Sequence, residues 1–215
     1  MSTLKELIAS THELQALPQS TARLLDLLED PLVEADKLLA VIEKDPALTA
    51  NLLKLCNSAY YGRKREVGSV KEALVMLGNR TVITLAFATS MGKVLRGDLA
   101  AYGLGKEDLW RHSLATACGA ALVAADLGLA AQRDRAFTAG LVHDIGKMLL
   151  NRLLLKRLEW STATAADSFV EIEREVLGFD HAEAGAALAE AWHFPAPLVA
   201  AVRHHHEPAA PADAD

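Results

Sequence analysis

Apolar residues in this chain recur at three- and four-residue spacing from one end to the other, and no convincing run has the alternate-residue pattern of a half-buried strand. That feature restricts the fold to the all-α class. Helix punctuation accompanies it. Asp45-Pro46 places an N-cap acceptor before a residue of preset φ, and Leu48, Leu52 and Leu55 follow at i, i+4 and i+7. Ser69-Val70-Lys71-Glu72 is a capping box, in which the serine oxygen takes the N3 amide and Glu72 reaches back. Val70, Ala73, Leu74 and Leu77 form the stripe behind it, and Gly78 is its stop. Val82 to Met91 is apolar almost all round, which predicts a central helix. Further helical patterns run from about Glu107 to Leu127, from about Arg135 to Leu155, and over Phe169, Ile172 and Val176. Asp180-His181-Ala182-Glu183 opens another, with Ala184, Ala187, Leu188 and Ala191 inward. The last begins near Pro195 or Pro197 and ends at His204-His205-His206. The expected architecture is a multi-helix bundle of two packed helical subdomains, 1–97 and 98–208, divided in the Gly97 to Gly105 connection, with a disordered Pro/Ala/Asp tail over 209–215.

Of the 215 residues 51% are apolar but only 5% aromatic, so the core must come from Ala, Leu and Val, which suits close helix packing. A formal net charge of −6 argues against general nucleic-acid affinity, and Arg63-Lys64-Arg65 is too short to make a basic face. Cys56 and Cys118 sit in apolar helical patterns, as buried free thiols do, and fit neither a disulfide framework nor a Cys-based zinc site. Met1 to Ser10 lacks the apolar core of a signal peptide. Leu114 to Ala125, the longest apolar stretch, is too short for a bilayer and reads as a buried helix. A cytoplasmic location, with no membrane and no nucleic-acid partner, is the expectation.

The chemistry-bearing residues are histidines. Of eight, five stand in a pattern: His112, His143, His181, His205 and His206. The sharpest local signal is Gly140-Leu141-Val142-His143-Asp144-Ile145-Gly146-Lys147. A buried carboxylate is costly unless it is paired or ligates a cation. Imidazole with carboxylate suits Fe, Mn, Zn or Ni better than Ca. Lys147 could neutralise a phosphate as a point charge. Each position also has a plain structural reading. His143 and Asp144 could bond to backbone at a helix end, and Asp108 and His112, four apart on one face, could be an ion pair. His181 could be an exposed first-turn residue, and His204 to His206 could offset a helix dipole. Glu207 could orient an imidazole. The functional reading depends on all of them occurring together.

Leu17-Pro18, Asp45-Pro46-Ala47-Leu48-Thr49, Asn57-Ser58-Ala59-Tyr60-Tyr61-Gly62 and the run from Ser69-Val70 to Leu77-Gly78 resemble the signature of the HDOD family. Trp110-Arg111-His112-Ser113, His143 to Lys147, Phe179-Asp180-His181-Ala182-Glu183-Ala184-Gly185 and His204 to Glu207 complete the match, over about Leu14 to Pro208. The second half is also similar to HD-GYP domains, cyclic-dinucleotide phosphodiesterases with clustered metal ions. That resemblance implies metal ligands at His112, His143, Asp144, His181, His205 and His206. It also implies Lys147 at substrate phosphate and an acidic ligand where Asp108 stands. Two departures matter. No Gly-Tyr-Pro follows His206-Glu207, and no later helix carries the final Asp ligand of HD-type enzymes. The family implies two functions. The leading one is a non-catalytic bacterial signal-transduction module that binds a protein partner, with a divalent ion (Fe, Mn, Ni or Zn) or a nucleotide holding its helices. The alternative is a metal-dependent phosphohydrolase acting on a nucleotide or cyclic dinucleotide, with Asp144 and Lys147 as its catalytic residues.

Overall fold

The computed structural model describes residues 17–30, 32–57, 66–157 and 168–208. Ser58 to Gly62 of the signature, the Arg63-Lys64-Arg65 cluster and the tail over 209–215 lie outside the described residues. Within them the chain is helical throughout, and its one β-type contact is an isolated bridge between Leu99 and Leu104. Two compact units emerge, one over Leu17–Val94 and one from Leu95 onward.

In the first unit, α1 (Gln19–Glu29), α2 (Ala35–Ile42), α3 (Pro46–Cys56) and α4 (Val70–Leu77) bury their expected apolar stripes, and α5 (Asn79–Leu95) is buried all along Val82–Ala88. Asp45 caps α3 by accepting the Leu48 N–H at 2.9 Å. That bond, with Lys93 at 3.6 Å, holds its carboxyl below the usual range despite partial burial. Ser69 accepts the Glu72 N–H as expected, but Glu72 reaches one residue further back, to the Gly68 N–H at 2.8 Å. Gly78 ends α4 at φ 80°, a region closed to most side chains. The Asn57 side chain pairs with both the N–H and the carbonyl of Val67, at 2.8 and 3.0 Å.

In the second unit, α6 (Asp108–Asp126) is not the fully buried helix its apolar run suggests. Leu109, Ser113, Ala117, Ala121 and Ala124 face inward, while Leu122 and Val123 are each 58% exposed. The small stripe lets α7 (Arg133–Val142) come close: a Cβ on Gly140 would lie 2.9 Å from Ala117 Cα. Cys118 on α6 is only half-buried.

The segment expected to form one helix from 135 to 155 is two. α7 ends at Val142 and α8 runs Gly146–Arg157. Between them the hydrogen bonds tighten to the i, i+3 kind, from Ile145 N–H to Val142 and from Lys147 N–H to Asp144. The cause of the redirection is a close approach: a Cβ at Gly146 would lie 1.9 Å from the His181 carbonyl oxygen and 2.6 Å from the Gly185 nitrogen. Glycine lets α8 enter directly against α10 (His181–Ala191).

Two inward faces also differ from expectation. On α9 (Phe169–Leu177), Phe169 is 42% exposed and the buried residues are Glu173 and Leu177. On α10, Ala184 and Leu188 are buried, but Ala191 is exposed, and Ala182, Ala186 and Ala189 are buried instead, because neighbours cover α10 on most sides. Asp180 and Glu183 complete the expected capping box at its start. The last helix, α11, runs Ala196–His204. Among the described residues, no helix is long and apolar enough to cross a membrane.

Candidate metal centre

Five of the second unit's segments meet at one carboxylate. Asp144 sits in the turn between α7 and α8, 2% exposed. His112 comes from the second turn of α6 and His143 from the end of α7. His181 is the first residue of α10, and His205 and His206 follow α11.

Asp144 Oδ2 faces one set of groups. His112 Nε2 and His143 Nε2 each lie 3.3 Å from it and 3.1 Å from one another, and Lys147 Nζ lies 2.6 Å away. Asp144 Oδ1 faces another set. His181 Nε2 lies 3.2 Å and His205 Nε2 3.6 Å from it, and His206 Nε2 approaches His181 Nε2 to 2.8 Å. Two three-residue groups could therefore each hold a cation: His112 with His143 and Asp144, and His181 with His205 and His206.

The protons of these rings decide whether the groups fit a metal. His143 Nδ1 lies 2.8 Å from the Gly140 carbonyl, and His205 Nδ1 lies 2.7 Å from the Val202 carbonyl. His181 Nδ1 lies 2.7 and 3.0 Å from the two Glu173 oxygens. Carbonyls and carboxylates only accept, so Nδ1 carries the hydrogen in all three. In the neutral ring Nε2 is then a lone pair, and all three lone pairs point at carboxylate oxygens. Lone pairs facing lone pairs repel unless a cation or a further proton lies between them. Asp144 Oδ1 and His205 Nε2 are buried with no hydrogen-bond partner, which a buried polar atom rarely tolerates. The donor set, imidazoles and one carboxylate, suits borderline divalent ions, so the residues present fit the group.

Burial alone would raise Asp144, but His112 and His143, with His181 and His205, outweigh it and hold its carboxyl far below the usual range. Burial pulls His181 down, yet Asp144 and Glu173 more than reverse this and raise its pKa.

Glu173 is the residue sequence reasoning missed. It is fully buried and accepts from the Tyr102 hydroxyl at 2.7 Å, the His181 N–H at 2.7 Å and the His181 ring. Burial and Glu173 push the Tyr102 hydroxyl far upward, so it remains a donor. A carboxylate that orients a ligating imidazole typically tunes metal affinity 10–100-fold. The signal was present, since Glu173 lies four residues from both Phe169 and Leu177, on the apolar face. Glu173→Gln replaces one acceptor oxygen with a donor where three donors converge. It should cost about 1–3 kcal/mol and weaken cation binding about tenfold or more; urea unfolding and calorimetric titration check both.

Two expected participants lie elsewhere. Asp108 accepts the Gly105 N–H at 2.9 Å and pairs with Arg111 at 3.7 Å, and it belongs to neither group. Glu207 orients no imidazole; it is 67% exposed and lies 3.6 Å from Arg174. Arg174 in turn holds the buried Asp180 at 2.7 Å, which ties the α10 cap to α9.

Similarity to known proteins agrees with this architecture. A protein of Treponema pallidum (strain Nichols) without assigned function is 29% identical over 199 residues, 88% of this chain and 37% of its own length. The chain thus spans little more than a third of that relative. An HDOD domain protein of unknown function from Geobacter sulfurreducens superposes with a TM-score of 0.80 at 26% identity, covering 97% of this chain and 70% of that one. A candidate phosphohydrolase from Shewanella amazonensis superposes with a TM-score of 0.77 at 30% identity, covering 94% and 72%. The family model described as HDOD domain matches residues 14–208. The chain belongs to the HDOD domain family.

Proposed function

We propose that this chain is a metal-dependent phosphoester hydrolase of the HDOD type, acting on a nucleotide or cyclic dinucleotide. The observation that carries the reading is the buried carboxylate of Asp144, each oxygen of which faces its own set of imidazoles. A divalent cation held there supplies Lewis acidity towards a phosphoryl oxygen and lowers the pKa of water near neutrality. The protein's own part is positional. Glu173, Gly140 and Val202 fix the tautomers of His181, His143 and His205. His112, whose side chain is 53% exposed, and His206, also exposed, leave the centre open to substrate, and open centres suit reaction better than pure structure. Lys147 brings an ammonium to the same place, where it can offset charge on a phosphoryl group. The likeness to the Shewanella protein, named as a candidate phosphohydrolase, supports the same class.

A second reading, a cation-stabilised signalling module that docks a protein partner, is favoured by a different observation. Leu122, Val123 and Leu127 are 58%, 58% and 67% exposed at one end of α6, and exposed apolar clusters mark interaction surfaces.

Turnover of bis(p-nitrophenyl) phosphate and of a cyclic dinucleotide, assayed with Mn, Fe, Ni and Zn, separates the two. Hydrolysis that disappears in His143→Ala/Asp144→Ala is the expected result. No turnover with any ion, in protein that carries metal, would reject hydrolysis and leave the signalling reading.

A further inference from the structure

In each half of the centre an exposed imidazole, His112 or His206, lies within hydrogen-bond reach of an inner one; the halves differ at the Asp144 carboxylate. On the Oδ2 side every group has a partner without any ion. Lys147 Nζ lies 2.6 Å from Asp144 Oδ2, and His112 can donate through Nε2 to His143 Nε2 at 3.1 Å. On the Oδ1 side, Asp144 Oδ1 and His205 Nε2 are buried and unpartnered, and His181 is 1% exposed with its ring locked by Glu173. At the carboxylate, then, Oδ2 is occupied by Lys147, whereas Oδ1 is buried without a hydrogen-bond partner beside a preorganised imidazole.

From this asymmetry, which rests on the metal-centre reading above, we propose that the halves fill in order and that Lys147 gates the second. The His181, His205 and His206 half receives a cation with no side chain displaced from Asp144 Oδ1. The His112 and His143 half meets Lys147 on Asp144 Oδ2 first, and an ammonium 2.6 Å from that oxygen repels an arriving divalent cation, so the ion binds tightly there as Lys147 moves off. Lys147 is well placed to swing away. Its own side chain is 16% exposed, and its nitrogen lies 5.8 Å from the centre of the Tyr102 ring, an alternative resting place over an aromatic face. The lysine therefore sets the concentration of free divalent ion at which the centre becomes complete. Below it the protein holds one ion; above it, two, with the Lys147 ammonium released towards substrate. A one-ion and a two-ion form, separated by a threshold, would make activity respond to ion supply.

The test is calorimetric titration of the metal-stripped protein with Mn²⁺ alone, with native mass spectrometry counting ions and circular dichroism confirming helix content in each variant. The wild type should bind two ions in two resolved steps. Lys147→Met should tighten the second step by about tenfold or more and move the first far less, whereas Lys147→Arg should keep the gap. His112→Ala should bind one ion, with the affinity of the wild-type first step. Two ions bound in one unresolved step, or an equal shift of both steps in Lys147→Met, would overturn the ordering while leaving the metal centre intact. No ion bound by any of the four proteins would overturn the metal reading itself.

Discussion

Gly146→Ala should lower the thermal midpoint by about 10 °C or more, a loss of roughly 3 kcal/mol or above. The added Cβ would sit 1.9 Å from the His181 carbonyl oxygen and 2.6 Å from the Gly185 nitrogen. Both neighbours are backbone, so no rotamer change relieves the overlap, and α8 must move off α10. That motion separates Asp144, two residues before Gly146, from His181, whose ring is the group nearest Asp144 Oδ1 at 3.2 Å. Cation capacity should fall together with stability. Gly119→Ala provides the control. It lies within α6 with nothing within 4 Å of an added Cβ, and a helical glycine replaced by alanine gains about 0.5–1 kcal/mol. Melting followed by circular dichroism checks both. A Gly146→Ala protein that melts within about 2 °C of wild type would mean that the contact does not set the approach of these helices.

Asp144→Asn should abolish cation binding in both halves at once. Each imidazole belongs to one half, whereas Asp144 presents an oxygen to each. Asparagine preserves the shape but removes the charge and turns one acceptor into a donor. We expect affinity to fall by more than about a hundredfold, and phosphoester turnover to go with it. Stability reports the same loss independently. An ion that binds only the native state stabilises it by about 4 kcal/mol at a thousandfold excess over its Kd. The wild type should therefore melt several degrees higher with Mn²⁺ than with a chelator, and Asp144→Asn should melt alike in both. Retention of two ions by the variant would remove Asp144 from its central position.

Much of this arrangement is legible in the amino-acid sequence, and the parts that are not share a cause. Helix starts were readable at Asp45, Ser69 and Asp180 because capping is local chemistry. The His143-Asp144 pair stood out because a carboxylate on an apolar segment is costly without partners, and the resemblance to HD-type sequences joined His112, His181, His205, His206 and Lys147 to it. The break at His143–Ile145 was not. Nothing within 135–155 interrupts the helical pattern strongly enough, and the break is imposed by the His181 carbonyl, 35 residues away in sequence from Gly146. Glu173 escaped for a related reason. A glutamate on an apolar face looks like noise until Tyr102 and His181, from two other segments, supply its donors. Asp108 misled in the opposite sense: its spacing from His112 is right, but Gly105 and Arg111 engage it locally. Local rules predict local partners, and the remaining positions are decided by elements distant in sequence.

The break between α7 and α8 has one more consequence, for the field at the centre. Two helices, α8 and α10, begin there, and two, α7 and α11, end there. The positive ends of the first pair flank Asp144 and His181, while the negative ends of the second pair carry His143 and His205. Peptide dipoles thus favour negative charge at the carboxylate and positive charge beside these two imidazoles before any side chain is considered. This part of the potential belongs to the backbone and survives every ligand substitution that leaves the helices in place. Its strength should vary with salt far less than that of surface charges, because Asp144 and His181 are shut away from the ionic atmosphere.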